Sequence, residues 1–168
     1  YHFSSYEILS IRRVQNKSLY TRFKNCRINF AGDINSRVLF HGTTSAKEIA
    51  MNGFDLERCK SDSMFGRGIY FADLSSKSNQ YARKQECKDL NHVHCCFTCT
   101  RHMLLCRVML GNIYSMQKAD HSLTRAPDGH HSVRGEPTLD GGLKYREYIV
   151  YDPNQVYPEY IIEYKLRQ

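Results

Sequence analysis

Gly66-Arg67-Gly68-Ile69-Tyr70-Phe71-Ala72 begins like a dinucleotide-binding fingerprint and then abandons it. G-x-G-x-x-G requires a third glycine where Phe71 stands, and a helix immediately afterwards. Ile69-Tyr70-Phe71 has the β-branched and aromatic composition of a strand instead. The two glycines therefore read as a turn leading into a short strand, Ile69 to Ala72, and this context speaks against a Rossmann fold.

On either side of that strand, α and β elements alternate. Tyr6 to Val14 reads as a strand, and Asn16 to Phe23 as a short helix with Leu19 and Phe23 four apart on one face. Val38 to Phe40 is a short apolar strand that ends at His41-Gly42. Ser45 and Glu48 have capping-box spacing ahead of a helix for which Gly53 is a suitable C′ residue. Asp55 to Phe65 is polar and turn-rich, hence a loop. Ser75 or Ser76 caps a helix to about Lys84, on which Ser78 and Tyr81 share a face. Met103 to Leu110 is a continuous apolar run, which suits a central strand. Lys118 to Gly142, rich in Gly, Pro, His and Asp, reads as a long surface loop. Glu147 to Tyr151 and Tyr157 to Leu166 are strands joined through Asp152-Pro153-Asn154.

A chain of 168 residues fits one domain and buries enough surface for a core without disulfides. Hydrophobic residues make up 41% and charged residues 24%, ordinary for a globular protein. No apolar run reaches the roughly 18 residues of a membrane span, and Tyr1 to Arg13 lacks a signal-peptide pattern. The net charge of +7 suits anionic partners without choosing among them. Seven cysteines cannot all pair within the chain. Cys87-x4-His92-x3-Cys96-x2-Cys99 offers Cys3His, a standard structural zinc set, with His94 or Cys95 as alternatives to His92. Four protein ligands would leave no open position, so such a zinc is structural rather than catalytic. Basic residues around it (Arg83, Lys84, Lys88, Arg101) are too few to indicate nucleic-acid binding. Reduced thiols and the missing signal point to cytoplasm or nucleus.

Four motifs stand in order: His41-Gly42-Thr43; Gly66 to Ala72; Ser76-Lys77-Ser78-Asn79-Gln80-Tyr81; and Tyr145-Arg146-Glu147-Tyr148. Together they resemble the catalytic domain of the poly(ADP-ribose) polymerase family, and the likeness runs from Tyr6 to Lys165. Within the family it is similar to tankyrase in Met64-Phe65-Gly66, the Ser75 to Tyr81 run, the Cys/His insertion, Gly129-His130-His131-Ser132-Val133 and Tyr157-Pro158-Glu159-Tyr160. The resemblance implies an α+β, diphtheria-toxin-like ADP-ribosyltransferase fold with a two-part, mostly antiparallel sheet around an NAD+ cleft. It implies a single domain over 1–168, with a zinc insertion about 87–99, a lid loop about 55–65 and an acceptor-side loop about 118–142. Ankyrin repeats, an oligomerising domain and a helical regulatory domain have no room here, so oligomerisation is expected through other segments and NAD+ access to be constitutive.

The implied reaction cleaves the nicotinamide–ribose bond of NAD+ as substrate and transfers ADP-ribose to acceptor proteins and growing poly(ADP-ribose). Nicotinamide leaves as a neutral base, so the main demand is to stabilise an oxocarbenium-like transition state. By resemblance, Glu147 binds the nicotinamide-ribose 2′-OH and polarises the acceptor, completing a triad with His41 and Tyr70. His41 binds the adenosine-ribose 2′-OH, and Thr43 adds a hydroxyl. Gly42 offers its backbone to the carboxamide, Ser78 donates to the carboxamide oxygen, and Tyr70 and Tyr81 wall the ring. Arg67 departs from relatives and is expected to face the pyrophosphate or solvent. Single-unit transfer, or an inactive NAD+- or ADP-ribose-binding module, are the alternatives to polymer formation.

Overall fold

The computed structural model describes residues 4–60, 62–82, 96–139 and 142–167. Among these the chain runs β1 (Ser5–Arg13), α1 (Lys17–Ile28), β2 (Ser36–Gly42), α2 (Ala46–Asn52), a 3-10 turn (Leu56–Arg58), β3 (Ile69–Phe71) and α3 (Ser75–Asn79). It continues through β4 (Arg101–Met109), β5 (Ile113–Met116), β6 (Ser132–Gly135), β7 (Glu147–Val150), a second 3-10 turn (Pro153–Gln155) and β8 (Val156–Arg167). The strands form two four-stranded sheets, ordered β1-β8-β4-β2 and β3-β7-β6-β5. The first is antiparallel throughout; in the second only β5 and β6 run parallel. This mixed architecture agrees with the expected two-part, mostly antiparallel fold.

The apolar run from Met103 forms most of β4, which is central and covered on both faces. Leu104, Cys106 and Val108 join Leu39, Ile69, Phe71 and Val150 in the main core between the sheets. Met109 packs with Leu19, Phe23 and Tyr157 under α1. Arg107, which interrupts the run, is accommodated by a two-pronged pair with Glu159, at 2.8 Å from Nε to Oε1 and 3.2 Å from Nη2 to Oε2. β7 and β8 follow each other in sequence yet lie in different sheets, because the 153–155 turn carries the chain across.

Several local expectations shift. α1 extends to Ile28, five residues past Phe23. Its N-cap Asn16 accepts from Leu19 N–H at 3.1 Å and donates to Ala50 and Met51 carbonyls at 3.1 and 2.7 Å, so it also ties α1 to the end of α2. The capping box is not formed. Ser45 makes no side-chain cap; its N–H is bonded by the Thr43 hydroxyl at 3.0 Å, and Glu48 turns to Arg58 instead. α3 stops at Asn79, short of Lys84. The 118–142 stretch is not loop throughout, since β6 lies inside it, and β5 precedes it unforeseen.

Leu104 is fully buried, whereas Val38 on edge strand β2 is 41% exposed. Leu104→Ala should therefore destabilise by about 2–5 kcal/mol, and Val38→Ala by about 0.5 kcal/mol or less, in equilibrium urea unfolding.

Candidate active site

The cleft forms where β2 of one sheet meets β3 of the other. Phe40 and Ala72 exchange backbone bonds, N–H of Phe40 to Ala72 carbonyl at 2.8 Å and the reverse at 3.0 Å. One residue on, His41 donates Nδ1–H to the Tyr70 carbonyl at 2.8 Å. Ser78 on α3 donates its hydroxyl to the Phe40 carbonyl at 3.1 Å. A Cβ on Gly42 would fall 1.6 Å from the Ser78 carbonyl oxygen, so only glycine lets α3 lie this close to β2. The space beside this seam is a cleft of about 1120 Å³, and His41, Gly42, Thr43, Tyr70, Ser78, Tyr81 and Glu147 all line it.

Each side chain has a defined state. Burial pushes the His41 imidazole pKa down, partly offset by its bond to Tyr70, so the ring is neutral at pH 7. With Nδ1 donating, Nε2 is left as an acceptor. The Tyr70 hydroxyl accepts from Phe65 N–H and donates to the Gly66 carbonyl, both at 2.9 Å, and burial raises its pKa far above the ordinary range. The Thr43 hydroxyl accepts from Ser45 N–H, which leaves its proton to donate. Ser78 has a single hydroxyl proton, and Phe40 receives it here.

Glu147 opens β7 and is buried, with Lys77 Nζ 2.9 Å from its Oε1. Both side chains are almost enclosed, at 12% exposure for Lys77 and 8% for Glu147. Burial alone would lower the Lys77 pKa, but the hydrogen bond and charge of Glu147 outweigh it, and the net shift is upward. Lys77 also donates to the Tyr81 hydroxyl at 3.4 Å and sits 5.4 Å from the centre of its ring. Tyr81 itself is 57% exposed. Carboxylate, ammonium and aromatic ring thus form one chain along the cleft wall. Lys77 did not stand out in the sequence; its signal was the i,i+4 spacing to Tyr81.

Asp55, Leu56, Arg58, Cys59, Lys60 and Asp62 to Met64 line one side of the cleft. Asp55 caps their 3-10 turn through Glu57 N–H at 2.9 Å. Arg67 is exposed to solvent, and it also donates to the carbonyls of Glu57 at 3.1 Å and Cys59 at 3.4 Å, holding the segment to the turn before β3. That turn is fixed in its own right, because Gly66 has φ +69° and a Cβ there would lie 1.9 Å from the Leu123 carbonyl oxygen. Asp120 N–H, bonded to the Met64 carbonyl at 2.8 Å, joins the same segment to the 118–142 stretch.

With this geometry in view, the family profile described as the poly(ADP-ribose) polymerase catalytic domain matches residues 1–140. The chain belongs to that family. Its members' catalytic domain is an NAD+ ADP-ribosyltransferase. The chain is 33% identical to poly [ADP-ribose] polymerase 1 of Gallus gallus over 95% of its length and 17% of that protein. It is 30% identical to the Danio rerio protein of the same name, over 94% of the chain and 17% of the relative. The Xenopus laevis protein of that name is 32% identical, over 95% and 18%. The chain therefore spans less than a fifth of the length of these relatives.

Of the four residues expected to hold zinc, Cys87 and His92 lie outside the described residues, as do His94 and Cys95. Cys96 is buried, with Sγ 3.2 Å from the Thr98 hydroxyl, and Cys99 is partly buried. Among the described residues no group of three or more His, Cys, Asp or Glu is arranged to hold a metal. Arg101, counted among the basic residues near this insertion, is buried and donates to Asn79. No helix among the described residues is long and apolar enough to cross a membrane.

Two outcomes follow for this family member. Lys77→Met leaves Glu147 as an uncompensated buried carboxylate and should destabilise by roughly 3 kcal/mol, read from urea unfolding. The depressed His41 pKa makes the unfolded chain the better proton binder. Its stability contribution is thus complete above about pH 6.5 and is lost as pH falls below that. His41→Asn should flatten that segment of the stability–pH curve, and an unchanged slope would rule out a neutral buried His41.

Proposed function

We propose that this chain is an NAD+-dependent ADP-ribosyltransferase that extends ADP-ribose into polymer on acceptor proteins. The observation that carries the reading is the Glu147–Lys77 pair at the cleft wall, 2.9 Å apart and shielded from water. A carboxylate paired there with an ammonium can stabilise positive charge on a ribose ring.

In this reading nicotinamide lies between Tyr70 and Tyr81, with its carboxamide at the Gly42 backbone. Ser78 turns its hydroxyl from Phe40 to the carboxamide oxygen. His41 accepts the adenosine-ribose 2′-OH at Nε2, and Thr43 donates nearby. The C1′–N bond breaks with its electron pair passing to the nicotinamide ring, which becomes neutral. The acceptor oxygen bonds to C1′, and its proton passes to Glu147, whose carboxylate also holds the 2′-OH. Residues 55–65 act as lid, and 118–142 as the acceptor side that receives a growing chain.

Polymer is favoured over single-unit transfer because position 147 is Glu, which can address a ribose hydroxyl on the acceptor as well as on NAD+. The tankyrase-type assignment rests on sequence features alone: Met64-Phe65-Gly66, Ser75 to Tyr81 and the Cys/His insertion. A structural zinc on Cys87, His92, Cys96 and Cys99 belongs to the same proposal; when bound it would staple the insertion without entering the chemistry. Cytoplasm or nucleus suits a chain with a thiol set of this kind.

Glu147→Gln tests the reading. It should keep NAD+ binding and lower turnover by roughly 10²–10³-fold, with the high-mass smear from labelled NAD+ lost on a denaturing gel. Retention of long polymer would contradict the role of Glu147, and a single sharp band from the wild type would replace polymer by single-unit transfer. Cys96→Ser should lose zinc by elemental analysis while NAD+ cleavage changes little; equal zinc in both proteins would remove the metal site.

A further inference from the structure

The positive charge of this domain is concentrated in one place. Residues 8–32 hold Arg12, Arg13, Lys17, Arg22, Lys24 and Arg27 and no acidic residue. Of 24 Lys and Arg, these six leave eighteen elsewhere, nearly matched by 17 Asp and Glu, so almost the whole net charge of +7 sits here.

The cations are also ordered. Positions 17, 20, 24 and 27 follow the 3-4-3 spacing of one helix face, so Lys17, Tyr20, Lys24 and Arg27 form a stripe along α1. All four are exposed. Among the described residues none of the three cations pairs with a carboxylate. Lys17 stands in the first turn of the helix, where the dipole disfavours a cation, and the first turn holds no acidic residue. Tyr20 is 53% exposed, and its ring is set edge-on to Tyr157 at 5.4 Å and 73°. It is thus an oriented aromatic between two cationic positions. Asn16 and Leu19, on the same helix, reach Ala50, Met51 and Gly53 at the end of α2, beside the cleft.

We propose that the Lys17–Tyr20–Lys24–Arg27 stripe of α1 is a docking surface for ADP-ribose polymer, separate from the cleft. The choice of polymer rests on the ADP-ribosyl-transfer reading above. Each repeat of that polymer carries two adjacent phosphates and one adenine. Lys24 and Arg27, one turn apart, match a pyrophosphate. Tyr20 offers a stacking face for the adenine. Lys17, about 10 Å from Lys24 at 1.5 Å rise per residue, meets the next charged group. A nucleic-acid strand carries its phosphates singly, each separated from the next by a sugar, and so offers no adjacent pair of phosphates to Lys24 and Arg27.

The test is fluorescence anisotropy of the 168-residue chain with preformed, end-labelled ADP-ribose polymer, and in parallel with a single-stranded oligo(dA) of equal charge, across a salt series. K17Q/K24Q/R27Q should weaken polymer binding at least about tenfold and reduce the log–log salt slope by about 2. Tyr20→Ala should weaken it about fivefold or more with the slope unchanged. Wild-type affinity in the triple variant would overturn the proposal, as would equally tight binding of oligo(dA), which would make the face a general polyanion or nucleic-acid surface. NAD+ cleavage and thermal melting of the triple variant should equal the wild type; loss of fold together with loss of binding would count against a surface role. A chain that binds polymer yet cleaves no NAD+ would remove the catalytic reading and leave the docking surface supported.

Discussion

The paired backbone bonds between Phe40 and Ala72 are the constraint on which the site depends. β3 has only three residues and pairs with β7 alone within its sheet. Joining its end to β2 locks the two sheets together and fixes the register of His41 against Tyr70. The Phe40 carbonyl then serves twice, accepting from Ala72 N–H and from the Ser78 hydroxyl, which draws α3 onto the same seam. Buried backbone groups are rarely left without partners, so each contact leaves little freedom for the next. Gly42 is the steric condition for this arrangement, because any side chain there would displace α3.

From that seam the electrostatics follow. The core between the sheets is apolar, formed by residues such as Leu104, Val108, Ile69 and Tyr148. A carboxylate at its margin is stable only with a close partner, and α3, drawn in by the seam, supplies Lys77. The pair adds little net stability by itself, since both ions lose hydration. Its value is positional: it holds a negative charge at a fixed point on the cleft wall, with Tyr81 next to the cation. Tyr70 lies across the same cleft, fixed at both its carbonyl and its hydroxyl.

Much of the architecture was legible because it rests on strong local signals. The apolar run from Met103 suits a covered strand, and Gly53 marks a helix end by its chemistry. The cleft residues His41, Gly42, Thr43, Tyr70, Ser78, Tyr81 and Glu147 were found as motifs, and the fold brings them to one cavity. What escaped depends on tertiary partners. Ser45 and Glu48 have capping-box spacing, but Thr43 and Arg58 compete for them and win. β5 and β6 are four-residue strands that depend on distant partners, β5 on β6 and β6 on β5 and β7, and a stretch rich in Gly and His does not announce them. Arg67 turned to the carbonyls of Glu57 and Cys59, acceptors that no residue pattern reveals.

The account stands most directly on where nicotinamide sits. A crystal structure of the chain with a benzamide that mimics nicotinamide would settle that position. The account predicts the ring between Tyr70 and Tyr81, its carboxamide at the Gly42 backbone with the Ser78 hydroxyl rotated onto it, and Glu147 still held by Lys77. Density for the ring elsewhere in the cleft, or Ser78 still bonded to Phe40 with the carboxamide unmet, would contradict it.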